Sequence, residues 1–438
     1  MINAAVPKWL GWLGLAGTLM VSLHSHAAPQ SLVILTSFSE AVSQRFGEAF
    51  EAAHPDVRVR FINKKTAAVL THLEQQLKPR PDLVMASAID AFDLLSEKQL
   101  LQPYTASNGE AQPYSSFGYS GYGLMWNRRY LEQRDLPAPA DWDGLLDPVY
   151  RNHIGMSSPT RSGTTHVLVE TILQQRGWEQ GWGYLNRLAG NLATVTARSF
   201  GVRQGVIQQR FGIGLVIDFF AFSAQPAHAE IELTYPVGTS FLPVSAGIVK
   251  GGAQPGVARQ YIDFLRSDRG QALLLEPEIS RFPIRAAVLE AQPEHPLNSY
   301  QRQLEETLQY DRQEARRRYH LVNALFDQLI TLRLPFIKQA WGEVAALEAD
   351  PALAGQPRLQ ALLAAVKQRL SEVPFDESLL SNAALLAKFN RPLPGGGTST
   401  AQRNQQSHWQ RWASIQQADV NRTLGRIRSE LKAIREQG

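Results

Sequence analysis

Pro159-Thr160-Arg161-Ser162-Gly163-Thr164-Thr165-His166 gathers the groups that hold a small anion into one short stretch. Pro159 disfavours helix just before it, and Ser162 is a good N-cap for the amphipathic segment that follows. Gly163 allows close approach to the backbone, and Thr164 and Thr165 add hydroxyls in the first turn. Such a helix start offers unpaired N–H groups and a partial positive charge, with Arg161 beside it. The chemistry suits a carboxylate, phosphate or phosphonate. Taken singly, the stretch is accounted for by helix capping.

The design is repeated along the chain. Leu32–Leu35 runs into Thr36-Ser37-Phe38-Ser39-Glu40, where Ser37 and Glu40 have capping-box spacing. Leu83–Met85 runs into Ala86-Ser87-Ala88-Ile89-Asp90, a Ser-x-x-Asp version. Val195-Thr196 leads to Arg198-Ser199-Phe200-Gly201-Val202-Arg203. Gly214–Ile217 ends in Asp218, placed to cap the helix that follows, to pair with Arg161 or Arg203, or to accept from a ligand. Ligands of open α/β sheets bind beyond the carboxyl ends of the strands, so these junctions predict one shared anion site. Ser199, Phe200, Arg203 and Asp218 belong to it beside the Arg161–Thr165 start, and Phe38, Phe200 and Phe219 are available to pack around the ligand, with core packing the first reading for each.

The elements that must position these groups alternate over residues 30–285. Further strands are expected at Val57–Ile62, Tyr122–Trp126, Gly155–Met156, Ile231–Tyr235 and Ala246–Val249. Between strands, Val42, Phe46, Ala49 and Phe50 share one helical face, as do Val257, Tyr261, Phe264 and Leu265. The pattern means α/β layers with mainly parallel sheets. Its length suggests two lobes: 28–127, then 128–238, then 239–299 returning to the first. The charged, Pro-rich Asn127–Asp141 would be the exit and Pro236–Pro243 the return. After Pro296 strand signals stop, and 300–438 reads as an all-helical extension. Pro392–Gly397 forms a linker there, and a last helix carries Trp409, Trp412, Ile415, Val420 and Leu424 as its apolar stripe.

Composition narrows the functional classes. Lys8, an apolar run from Trp9 to Leu23 and Ser25-His26-Ala27 form an expected cleaved leader over 1–27. The 438 residues contain no cysteine, which excludes disulfides and a lipid-modified cysteine. A formal net charge of +4 without any basic cluster argues against a nucleic-acid partner. No Gly-x-Ser-x-Gly elbow and no His-x-x-x-His set is present, so no catalytic residue, metal or cofactor is assigned.

Thr36–Glu40, Pro81-Asp82-Leu83-Val84, Gly123–Asn127, Asp147–Tyr150, Pro159–Thr165, Ile217-Asp218-Phe219 and Asp263–Leu265 followed by Gly270-Gln271 have a familiar order. Over residues 31–290 the chain resembles periplasmic substrate-binding proteins of ABC importers, of the type II fold. The branch is the one that holds ferric-ion and 2-aminoethylphosphonate binders. The resemblance implies a periplasmic, monomeric protein that captures a small phosphoglycerate-like anion by closing two lobes. Its partners would be a membrane permease, the periplasmic domain of a sensor kinase, or both. Carried over by position, the binding groups are Thr36, Ser37 and Ser39, then Ser87 and Ala88, then Ser162, Gly163, Thr164 and Thr165. Ferric binders of the branch carry adjacent tyrosines where this chain has Phe219-Phe220, which offer iron no oxygen.

Overall fold

A computed structural model describes residues 1, 29–105, 109–305, 309–374, 380–390 and 399–437. The expected leader and the Pro392–Gly397 linker lie outside the described residues. The main strands are β1 (Gln30–Thr36), β2 (Val57–Asn63), β3 (Leu83–Ala86), β4 (Ser115–Asn127) and β5 (Ile154–Ser157). β6 (Leu192–Thr196), β7 (Ile213–Ile217), β8 (Ile231–Thr234) and β9 (Phe241–Val249) follow. Their order is β2-β1-β3-β9-β4-β7-β5-β6, with β8 also against β4. β1 pairs in parallel with β2 and β3, and β5 pairs in parallel with β6 and β7. Leu32, Ile34, Leu83 and Ile154 are fully buried, as parallel strands covered on both faces require.

The two lobes share β4. Residues 115–121 pair with β9 and residues 122–126 with β7, so one continuous strand changes partners between 121 and 122. The sequence reading puts the exit at the charged, Pro-rich stretch from Asn127, where β4 ends; the Gly- and Ser-rich Ser115–Gly121 half of that strand carries no strand signal of its own. Gly121 stands at the change of partners, where a Cβ would come within 2.6 Å of the Phe241 and Tyr235 rings. A side chain there would wedge the crossing strands apart.

The helices that matter for the site begin where the strands end. They are α1 (Glu40–Ala53), α2 (Thr66–Glu74), α3 (Ile89–Glu97), α4 (Gly163–Arg176), α5 (Trp178–Asn191), α6 (Ser199–Ile207) and the single turn α7 (Phe219–Phe222). In the first lobe Phe50 of α1 packs on Tyr261 and Phe264 of α8 (Pro255–Arg266). In the second lobe Trp178, Trp182 and Leu185 of α5 join an apolar core that runs on into the C-terminal extension.

That extension contains α9 (Arg312–Phe326), α10 (Leu334–Glu348), α11 (Pro357–Ser371) and α12 (Thr400–Gln437). Leu321, Trp341, Leu363 and Trp409 belong to the same core as α5, so the tail is part of the second lobe's interior. The buried seam of α12 is Trp409, Ala413, Gln416, Val420, Leu424, Ile427 and Leu431, in steps of three and four. Ile415, expected in this stripe, is 60% exposed because it lies one residue out of phase. Gln416 takes the seam position, accepting from Arg333 Nη2 at 2.7 Å and donating to the Arg369 carbonyl at 2.5 Å.

Helix α9 lies across both lobes. On the α3 side, Arg312 meets Asp93 through Nε and Nη2 at 3.0 and 2.6 Å, and Tyr310 donates to Asp90 at 2.8 Å. On the α4 side, Arg318 donates to Glu170 at 2.9 and 2.5 Å, and Asn323 Oδ1 is 2.9 Å from His166 Nδ1. Ser158 and Thr160 donate to Asp327 just beyond α9, at 3.0 and 2.7 Å.

Asp90 and His166, one from each lobe, stand 3.8 Å apart with no solvent on either side chain. Burial pushes Asp90 up to about 8, against the hydrogen bond from Tyr310 and with help from Glu170 and Asp93. Burial pushes His166 down to about 3. A neutral acid therefore faces a neutral imidazole at pH 7. Asp90 keeps its proton in the folded state after the unfolded chain has lost it, so its contribution is full below about pH 4 and is lost as pH rises through about 8. Asp90→Asn removes that dependence and leaves the His166 contribution in place. Its stability relative to the native protein should rise from pH 5 to 8 and level off above, by denaturant titration; a pH-independent difference would mean an ionised Asp90.

Candidate functional site

A cavity of about 700 Å³ lies between the lobes. Ser37 and Ser39 line it from the start of α1, and Ser87 from the turn before α3. Arg161, Ser162, Gly163 and Thr164 reach it from the start of α4, and Arg198, Ser199 and Phe200 from the start of α6. Residues of all four strand-to-helix junctions thus border one volume.

The caps differ from the sequence pattern in an informative way. Ser39, not Ser37, caps α1, accepting from Val42 N at 3.4 Å. Ala88 holds the N-cap position of α3 without a side-chain bond, and Ser87 Oγ is buried with no partner among the described residues. Arg198 occupies the N-cap of α6, which puts Ser199 in the first turn. Only Ser162 caps as its spacing implies, accepting from Thr165 N at 3.2 Å. A serine released from capping has a hydroxyl to give to something else.

Five expected site residues lie behind the cavity wall. Thr36 is fully buried and accepts from Phe38 N at 3.1 Å, which shapes the first loop. Ala88 is buried under Gly163, and Thr165 is tied to Ser162 Oγ and Ser157. Arg203 is half-buried and donates to the Phe220 carbonyl at 3.2 Å, away from Asp218. Asp218 takes Phe219 N at 2.7 Å, Tyr235 OH at 2.9 Å and Gly121 N, leaving it no bond to Arg161 or Arg203. Burial pushes Asp218 up to about 7 despite these donors. Its bond to Gly121, where β4 changes partners, makes it a tie for the strands there.

Lys65, Thr66 and Arg281 line the cavity although the sequence did not single them out. The first two open α2 directly after β2, a fifth helix start that a search centred on serine passes over. Arg281 carries no local signal, being brought in by the return of the chain to the first lobe. Lys65, Arg161, Arg198 and Arg281 face one carboxylate, Glu40, so the wall is strongly electropositive. Phe38, Phe219 and Phe220 give it an aromatic side.

Gly163 is where the lobes touch. A Cβ on it would lie 2.6 Å from the Ala88 Cβ and 2.8 Å from the Thr66 methyl, both in the opposite lobe. Its N–H approaches Thr66 Oγ1 at 3.4 Å. The Ala88 Cβ is fixed to its backbone, so no rotamer change makes room.

The sequence pattern of the family described as bacterial extracellular solute-binding protein matches residues 78–302. The phosphoglycerate transport regulatory protein PgtC of Salmonella typhimurium is 30% identical over 83% of this chain and 91% of its own length. The periplasmic binding protein AfuA of Actinobacillus pleuropneumoniae, solved with fructose-6-phosphate, aligns with a TM-score of 0.61 at 19% identity. That alignment covers 68% of this chain and 98% of AfuA. Iron-bound HitA of Pseudomonas aeruginosa aligns with a TM-score of 0.51 at 16% identity, over 59% of this chain and 87% of HitA. The solved structures share the two-lobed fold.

Gly163→Ala should hold the lobes apart. The expected result is weaker binding of 3-phosphoglycerate, used as a probe anion in titration calorimetry, with a ligand-free stability changed by less than about 1 kcal/mol since the added methyl suits a helix. Undiminished binding would show that the contact with Ala88 is not part of closure.

Proposed function

The chain belongs to the bacterial extracellular solute-binding proteins, and from that premise we propose that it captures a small phosphorylated, phosphonate or carboxylate anion by lobe closure. Phosphoglycerate is the leading candidate, since the 30%-identical relative is named for phosphoglycerate transport. The observation that carries the reading is the convergence of four helix starts and four cations on one cavity. Free N–H groups at those starts hydrogen-bond the anion, the hydroxyls of Ser37, Ser87, Thr164 and Ser199 complete its shell, and Lys65 and Arg161 neutralise it. Groups from both lobes contact one guest, so the guest binds the closed state more tightly and shifts the equilibrium towards it.

Export by the 1–27 leader would put the protein in the periplasm, where it would deliver its ligand to a membrane permease. Signalling to a sensor kinase draws on α9, which holds helices of both lobes and would feel their closure. The wall offers Phe219 and Phe220 rather than oxygen ligands on its aromatic side, which favours an anion over ferric ion.

A melting screen with 3-phosphoglycerate, 2-phosphoglycerate, phosphoenolpyruvate, 2-aminoethylphosphonate, sulfate and ferric ion tests the reading. A ligand at about 100 times its Kd stabilises by about 2.7 kcal/mol, a plain shift in Tm. Ser162→Ala with Thr164→Ala should weaken binding of the active compound about tenfold, through the lost Thr164 bond to a charged group and the lost cap that positions the start of α4. Stabilisation by ferric ion alone would overturn the proposal.

A further inference from the structure

Arg281 lies in the cleft wall only 1% exposed, and no carboxylate pairs with it among the described residues. Its Nη1 donates to the Ile279 carbonyl at 3.1 Å, while Nε and Nη2 have no partner there. Two aromatic rings lie close to the guanidinium. Its carbon is 4.6 Å from the centre of Phe38, in the first lobe, and 4.0 Å from that of Phe219, in the second. Asp218, whose charge acts on Arg281, is engaged by Gly121, Phe219 and Tyr235. Burial lowers Arg281 only to about 10, so it stays charged at neutral pH.

A buried charge without a partner is expensive, and contact with two rings recovers only part of that cost. Nε and Nη2, unpartnered among the described residues, form the edge left for an acceptor. That edge matches the two oxygens of a carboxylate. The serine hydroxyls and helix starts that suit a phosphoryl group sit elsewhere on the same wall, around Ser87 and Ser162–Thr164.

We propose that Arg281 receives the carboxylate of the ligand through Nε and Nη2 while the helix starts hold its phosphoryl group. The ligand class is then a phosphorylated carboxylic acid rather than a simple phosphate monoester. The inference rests on the anion-capture reading of this cleft and adds to it the second anionic group and its receptor. Phe38 and Phe219, one from each lobe, would close on the guanidinium as the lobes close, so that carboxylate recognition and closure occur together.

Arg281→Met tests this, because methionine fills the space between the rings and removes the charge. Calorimetric titrations would compare 3-phosphoglycerate with glycerol 3-phosphate, which has the phosphoryl group and lacks the carboxylate. The ligand-free Tm would be measured alongside. In the native protein 3-phosphoglycerate should bind more tightly. The variant should lose about tenfold or more for 3-phosphoglycerate, the scale of a lost charge-assisted contact, and stay within about twofold for glycerol 3-phosphate. Its ligand-free Tm should equal or exceed the native value. Equal losses for both compounds, or a lowered ligand-free Tm, would make Arg281 a structural clasp and overturn the assignment. A native protein that binds neither compound would overturn this inference, while the cleft reading would fall only if no anion of the melting screen stabilised the protein.

Discussion

Arg318 and Glu170 meet where almost no water reaches either side chain, at 4% and 0% exposure. Removing one partner of such a pair leaves the other charged and buried, so each holds its helix in place. Arg318 belongs to α9 and Glu170 to α4, and α9 also grips α3 through Tyr310 and Arg312. Both gripped helices begin at the cleft. The position of the two helix starts on opposite walls therefore depends on a segment outside the two-lobed unit. The tail is bound into the binding fold by charge pairing as well as by shared apolar core.

Within the cleft, closeness and charge work against each other until a guest arrives. Bare Gly163 lets the walls meet at Thr66 and Ala88, yet closing also crowds Lys65, Arg161, Arg198 and Arg281 around a single acid. Like charges brought together in a partly dry cavity repel. An anion between them changes the sign of that energy. In the proposed closure the charge of the guest would offset this repulsion, and the continuous β4 strand would be the pivot.

Much of this arrangement could be read from the chain. The apolar faces of α1 and α8, the strands buried on both sides and the four helix starts all follow from local pattern. What could not be read depends on tertiary neighbours. Ser115–Gly121 becomes strand because β9 pairs with it, not because glycine and serine favour sheet. Ser37 and Ser87 gave up their capping roles because each helix began later than the Ser-x-x-acid spacing implied. Asp218 went to Gly121 and Tyr235, partners distant in sequence or in another element, and Arg281 reached the wall only through the return of the chain. In α12, Ile415 against Gln416 shows a phase error of one residue. Hydrophobicity pointed to the isoleucine, and packing chose the glutamine for the hydrogen bonds it makes.

Gln416 has a mechanical consequence. A polar group in an otherwise apolar seam, bonded to Arg333 and to the Arg369 carbonyl, forbids α12 from sliding by a turn, since any slip would strand those groups in oil. The helix spans 38 residues and so is a rod of about 57 Å, pinned near its middle and again where Arg435 meets Asp350. A push on its outer surface would pass to the second lobe, whose apolar core it shares.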